Sequence, residues 1–227
     1  MILQIETATT SCSVALAQDG QVLAFKEIDQ RNIHAEVITV YINEILAQAN
    51  ARYADIDAVA VSCGPGSYTG LRIGVSTAKG LCFALDKPLI AVETLAAMAN
   101  GVQQSNPVDS NVLLCPMIDA RRMEVYTAIF NQAGEVVKQT AAEIIDANSF
   151  ADILSENKVL FFGDGADKCK DTLGHNPNAV FLPKFVNSAT YLTQIALDKF
   201  KRADFVDVAY FEPYYLKDFI AGKKAGA

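Results

Sequence analysis

A short pattern of residues occurs near the start of the chain and again just after its midpoint. Residues 13–22 read SVALAQDGQV, and residues 127–136 read TAIFNQAGEV. Apolar residues on both sides of a glycine-containing turn are typical of a β-hairpin. An apolar strand ending in an acid precedes each hairpin, and a helix and another strand follow it. The sequence therefore predicts an internally duplicated α/β protein.

Residues 101–110 are polar, include Pro107 and separate the two copies. We interpret them as a linker, which divides the chain into an N-terminal lobe (1–106) and a C-terminal lobe (107–227) with a flexible tail from residue 222. Each lobe is expected to be a mixed sheet flanked by helices. With 227 residues and 51% hydrophobic content, the chain can bury a substantial core.

The composition argues against several classes of protein. A net charge of −7 does not favour autonomous binding of nucleic acid. The N-terminus lacks a basic region, and no apolar run approaches the length of a membrane span, so we expect a cytoplasmic protein without membrane contact. Five scattered cysteines and two histidines predict neither a disulfide framework nor a histidine-rich metal site.

A glycine-rich block, residues 64–81, follows a predicted strand at residues 57–63. Glycine and proline at its start predict a sharp turn into a helix. Such turns either bind an anion at the helix N-terminus or let the helix pack closely, and both interpretations stay open. The glycine spacing fits neither the dinucleotide-binding fingerprint nor the Walker loop.

The predicted helix at residues 32–49 has an unusually wide apolar face, which spans roughly 240° against the ~100° that a surface helix needs. We expect another helix or another subunit to cover part of it. The alternative is that the second lobe, or the helix after Gly70, covers it within the chain.

Several motifs carry a resemblance to known proteins. They are the opening ILQIETAT, Arg31-x-x-His34, GPGSYTGLRIG at residues 64–74, DARRxEVY at residues 119–126 and Pro213-x-Tyr215-Leu. The order of strands and helices resembles the actin/Hsp70/sugar-kinase superfamily. The motifs narrow this to a resemblance to the bacterial TsaB (YeaZ) family, with the blocks at 64–74 and 119–126 as the specific part.

That resemblance implies a non-catalytic partner protein. In the family, TsaB assists transfer of threonylcarbamoyl to adenosine 37 of tRNAs that read codons beginning with adenine. It implies a heterodimer with TsaD, a homodimer when TsaD is missing, the ATPase TsaE as a third component, and tRNA contact only through the complex. The implied interface residues are Ile38, Tyr41, Ile42, Ile45, Leu71, Gly74, Val75, Ala78 and Cys82.

The resemblance also bears on metals and nucleotides. TsaD uses a His-x-x-x-His pair, but this chain has Ile38 four residues after His34, so we expect no catalytic residue and no metal, with His34 as a hydrogen-bonding residue at a helix start. We expect no required cofactor, and ATP or ADP binding that is at most weak or confined to a partner interface. The candidate nucleotide-binding residues are Glu6, Thr7, Asp119, Gly163 and Asp164.

Other functions remain to be weighed. An autonomous ATPase or small-molecule kinase of the same fold would need Glu6, Asp119 and Asp164 as an acid–magnesium site. A metallopeptidase needs more ligands than two distant histidines supply. Arg72, Arg121 and Arg122 face either tRNA or the acidic residues of a partner, and the sequence leaves that choice open.

Overall fold

The computed structural model describes residues 1–105 and 109–217. The first sheet comprises β1 (Ile2–Glu6), β2 (Ser11–Gln18), β3 (Gln21–Asp29), β4 (Ala58–Ser62) and β5 (Leu89–Val92). The second comprises β6 (Val112–Asp119), β7 (Glu124–Phe130), β8 (Val136–Ile144), β9 (Lys158–Phe162) and β10 (Ala179–Phe181). The α-helices are α1 (His34–Gln48), α2 (Tyr68–Leu85), α3 (Thr94–Ser105), α4 (Ala151–Glu156), α5 (Lys170–Leu173) and α6 (Thr193–Lys201).

The two sheets have the same topology. Their strand orders are β3-β2-β1-β4-β5 and β8-β7-β6-β9-β10. In each sheet the first three strands in sequence pair antiparallel, and the remaining pairings are parallel. This arrangement confirms the duplicated α/β fold with two mixed sheets flanked by helices.

The first hairpin turn has the predicted geometry. Asp19 and Gly20 both have positive φ, at 51° and 82°, as a type I′ turn requires. Register across the hairpin joins Gln18 to Gln21, so the strands continue directly from the turn.

Helices α1 and α2 pack over one face of the first sheet. Three glycines at the start of α2 lie against the loop that follows β1. A Cβ added at Gly66 would lie 2.4 Å from the Ala8 carbonyl oxygen, and one at Gly70 would lie 2.0 Å from that of Thr7. At Gly74 it would meet the Thr7 hydroxyl at 2.2 Å. Only glycine permits this approach of the helix to the loop.

Helix α3 is longer than predicted and includes part of the proposed linker. Its residues 101–105 are helical because they contact neighbouring elements. A Cβ at Gly101 would lie 2.4 Å from the Tyr191 ring, and the Gln103 side-chain amide donates to the carbonyls of Asn131 and Gln132, each at 3.2 Å. Residues 106–108 and the tail lie outside the described residues, so the division at residue 106 stays a prediction.

The C-terminal part of the chain returns to the first sheet. Leu192 and Ala196 are buried with Ile2, Ala58 and Ile90 in one apolar cluster. Helix α6 therefore packs on the first sheet, although it follows the second sheet in sequence.

Residues 205–217, the C-terminal strap, then cross helix α2. The Lys79 ammonium donates to the carbonyls of Ala209 and Phe211, at 3.2 and 2.9 Å. The Tyr214 N–H donates to the carbonyl oxygen of Cys63 at 2.7 Å. At the end of the strap, Lys217 pairs with Glu124 of the second lobe. The strap thus connects both lobes.

The glycine contacts lead to a paired prediction. Gly70→Ala should lower the free energy of unfolding by about 1–3 kcal/mol, because the new methyl overlaps the Thr7 backbone. Gly80→Ala should raise it by up to about 1 kcal/mol through helix propensity, because the new methyl meets no atom of the described residues within 4 Å. Urea unfolding measures both. Equal effects of the two substitutions would show that close packing of α2 is unimportant.

Candidate partner surface and inter-lobe cleft

The N–H groups of Ser67 and Gly70, at the turn before α2, donate hydrogen bonds within the chain. The Ser67 hydroxyl caps the helix by accepting from the Gly70 N–H at 3.2 Å, and the Ser67 N–H donates to the Ala8 carbonyl at 2.7 Å. Gly64 has φ of 116° and lies against the strap, where a Cβ would meet the Tyr214 carbonyl oxygen at 2.5 Å. Of the two interpretations of the glycines, these contacts favour close packing over an anion site.

The predicted interface residues lie in the core of the first lobe. Tyr41 is half-buried, and all the others are buried: Ile38, Ile42, Ile45, Leu71, Gly74, Val75, Ala78 and Cys82. The apolar side chains among them pack on the chain's own sheet and between α1 and α2. These side chains are therefore part of the chain's own core, and a partner that docks on this lobe would contact the other side of these helices.

The solvent-facing side of α1 and α2 is also apolar in part. Val40 is 49% exposed and Phe83 is 87% exposed. Gly80 is an exposed residue of α2, and a Cβ added there would meet no atom of the described residues within 4 Å. We call the exposed side of α1 and α2 the helix-pair outer face.

A narrow cleft separates the two lobes. The loop after β1 supplies Thr9, Thr10 and Ser11 to a cavity of about 50 Å³, and the turn after β9 supplies Asp164. Small-molecule sites usually enclose about 300–1,000 Å³, so this cavity is too small for a nucleotide.

Glu6 is fully buried beside this cleft. Burial raises the pKa of its carboxyl to about 7, although the Ala8 N–H and the nearby polar side chains of Ser62 and Asn187 oppose the rise. The Ala8 N–H donates to Oε1 at 2.5 Å. Near neutral pH this carboxyl is thus close to half protonated in the free chain.

The other candidate nucleotide-binding residues are packed or paired within the chain. Thr7 lies under Gly74. Asp119 forms an ion pair with Lys168 and accepts from the Arg121 N–H at 2.9 Å. Asp164 accepts from the Asp119 N–H at 3.1 Å, and desolvation raises its pKa.

The turn at Gly163 packs against strand β6. Gly163 has φ of 104°, and a Cβ there would lie 2.2 Å from the Met117 carbonyl oxygen. The structure therefore brings Asp119, Gly163 and Asp164 together in the second lobe. Glu6 and Thr7 lie together in the first lobe.

His34 stabilises the loop after β1. Its Nε2 lies 3.0 Å from the Thr9 carbonyl oxygen and 3.2 Å from that of Ser11. Because both partners are acceptors, Nε2 carries the proton and donates to them. This is the hydrogen-bonding role at a helix start that the sequence predicts.

Two broader findings concern the described residues. Within residues 1–105 and 109–217, no group of three or more histidine, cysteine or acidic side chains is placed to hold a metal ion. None of the helices in these ranges is long and apolar enough to cross a bilayer.

Sequence reasoning missed two residues that contact Glu6. Ser62 was detectable, because it is a polar residue in the otherwise apolar strand AVAVS. Asn187 had no such signal, since it lies in an irregular segment far from Glu6 in sequence.

The duplicated sheets and the cleft between them define a protein of the actin-like ATPase fold. The activator of 2-hydroxyisocaproyl-CoA dehydratase from Clostridium difficile shares this fold, with a TM-score of 0.52 at 9% identity over 89% of this chain and 96% of that chain. YeaZ from Pseudomonas aeruginosa is more similar, with a TM-score of 0.81 at 25% identity over 95% of this chain and 99% of that one.

The sequence comparisons give the family. The family model for TsaD, described as tRNA N6-adenosine threonylcarbamoyltransferase, matches residues 27–218. The tRNA threonylcarbamoyladenosine biosynthesis protein TsaB of Escherichia coli K12 is 35% identical, covering 98% of this chain and 97% of its own length. The chain belongs to the TsaB (YeaZ) family of tRNA threonylcarbamoyladenosine biosynthesis proteins.

Glu6 predicts a specific pH dependence of stability. Because its folded pKa is raised, its contribution to stability is complete below an unfolded value of ~4.3 and is lost as pH rises through about 7. The total loss is on the order of 3 kcal/mol. Glu6→Gln should remove this dependence, so that the variant becomes more stable relative to wild type as pH rises from 4 to 8.

Chemical unfolding at several pH values tests this, with Glu156→Gln, an exposed acid on α4, as the control. If Glu6→Gln and wild type keep a constant difference in stability across this range, the raised pKa is refuted.

Proposed function

We propose that this chain is the non-catalytic subunit that TsaD and TsaE require to transfer threonylcarbamoyl to N6 of adenosine 37 in tRNAs reading codons that begin with adenine. The observation that carries the proposal is the match to a TsaB protein over 98% of the chain. Residues 27–218 also match the TsaD family model, so the chain is related to the transferase as well.

The chemistry of the cleft supports a non-catalytic role. Asp119 is paired with Lys168, and Glu6 is fully buried, so two of the acids that a magnesium-dependent kinase would need are not open to a substrate. The cavity of about 50 Å³ leaves little room for substrate. We infer that the chain needs no cofactor of its own, and that ATP or ADP binds weakly at most or at a partner interface.

The helix-pair outer face is the surface that we assign to the partner. Val40 and Phe83 expose apolar area that pairing of helices would remove from water. A related fold in TsaD offers an equivalent helix pair, so the contact would be pseudo-symmetric, and a second copy of this chain would use the same face when TsaD is absent. TsaE docks on the assembled pair, and tRNA is reached through the complex in the cytoplasm.

Reconstitution tests the function directly. Threonylcarbamoyladenosine formation on tRNA should require this chain in a mixture of TsaD, TsaE and the adenylate-forming enzyme from the same organism, while the chain alone should turn over no ATP. Undiminished product without the chain would contradict the proposal. ATP hydrolysis by the pure chain would favour an autonomous ATPase.

The partner surface gives a matched pair of variants. Val40→Glu should reduce co-elution with TsaD and product formation at least tenfold, because it places a charge in an apolar contact. Val137→Glu, on β8 of the second lobe, changes a valine of similar exposure (50% against 49%) and should leave both unchanged. Thermal unfolding of each free variant separates loss of binding from loss of folding. Equal behaviour of the two variants would move the interface elsewhere.

A further inference from the structure

The turn between β6 and β7 has an unusual backbone for its residues. Arg121 and Arg122 both have positive φ, at 70° and 48°. Asparagine and glycine adopt this region at lower cost than arginine. The first hairpin of this protein, at Asp19 and Gly20, has residues suited to the same region. The backbone of the turn therefore does not require arginine.

Both guanidinium groups are free to bind a ligand. Arg121 and Arg122 are exposed, and within the described residues neither side chain has a hydrogen bond or an ion pair. The neighbouring carboxylates are already paired, Asp119 with Lys168 and Glu124 with Lys217. The two positive charges are thus not neutralised locally.

The turn itself is held firmly. The Ala120 N–H donates to the Glu124 carbonyl at 3.0 Å, and the Glu124 N–H donates to the Arg121 carbonyl at 3.1 Å. The Asp119 carboxylate accepts from the Arg121 N–H at 2.9 Å. The guanidinium groups therefore extend from a rigid base, which reduces the entropy lost on binding.

A third arginine is linked to this turn through the strap. The Arg72 guanidinium lies 4.1 Å from the centre of the Tyr68 ring, and its Nε donates to the Tyr215 hydroxyl at 3.3 Å. Two residues further along the strap, Lys217 pairs with Glu124, which ends the turn. The strap therefore contacts cationic side chains of both lobes, although the protein as a whole has a net charge of −7.

We propose that Arg121 and Arg122 bind backbone phosphates of the tRNA that the complex modifies. The inference rests on the proposed function. Arginine forms paired hydrogen bonds with phosphate oxygens, and an acidic protein approaching RNA needs cations concentrated at the contact. Both side chains are exposed on a turn, where they suit an extended phosphate backbone better than a small ligand that needs an enclosing pocket.

The variant Arg121→Asn with Arg122→Gly tests the proposal without endangering the fold. Its residues suit positive φ better, so its melting temperature should equal or exceed that of wild type. In the complex with TsaD, the slope of log affinity for tRNA against log salt should become shallower by about 1.5, since each phosphate contact contributes ~0.7–0.9. The KM for tRNA should rise at least tenfold.

The control removes two exposed arginines elsewhere, with Arg52→Gln and Arg202→Gln, and should leave the salt slope unchanged. If the wild-type complex is active and the turn variant keeps the same salt slope and the same KM for tRNA, this inference is overturned and the proposed function is not. A rise in the KM for ATP instead would assign the arginines to a nucleotide, and loss of co-elution with TsaD would assign them to partner carboxylates. An inactive wild-type complex would instead refute the proposed function.

Discussion

The contact of helix α2 with the loop after β1 is the constraint on which the first lobe depends. Gly66, Gly70 and Gly74 bring the helix against the backbone of Thr7 and Ala8. At that distance the loop and the turn before α2 supply hydrogen-bonding partners to each other. The space between the loop after β1 and the turn before α2 is thereby filled by the protein itself.

The opposite face of the first sheet depends on polar contacts. Gln4 accepts from the Thr193 hydroxyl at 2.9 Å, and the Ser13 hydroxyl accepts from the Ala189 N–H at 2.7 Å. Glu6 faces Ser62 and Asn187 in the same layer. Buried polar groups cost free energy unless they are paired, so the contacts of Thr193 and Ala189 fix where the C-terminal segment lies more sharply than an apolar face would.

Much of the fold was predictable because its signals are local. The duplicated hairpins, the strand at Lys158–Phe162 and the turn at Asp19 follow from alternation of apolar residues and from turn residues. The interface residues implied by the resemblance, such as Ile38 and Ile45, are buried on the chain's own sheet, and the wide apolar arc of α1 does not say which part of it faces that sheet. The contacts of Glu6 with Asn187 were not predictable, since nothing in a single sequence couples positions so distant.

The return of the C-terminal segment to the first sheet has a consequence for the order of events during synthesis. Contacts such as Thr193 with Gln4 join residues 189 positions apart, and the strap contacts Cys63 through Tyr214. The second sheet, by contrast, is built from the continuous stretch 112–181. During synthesis on the ribosome, the polar layer of the N-terminal lobe cannot form until the last part of the chain has been made. All strands of the second sheet are made before that point.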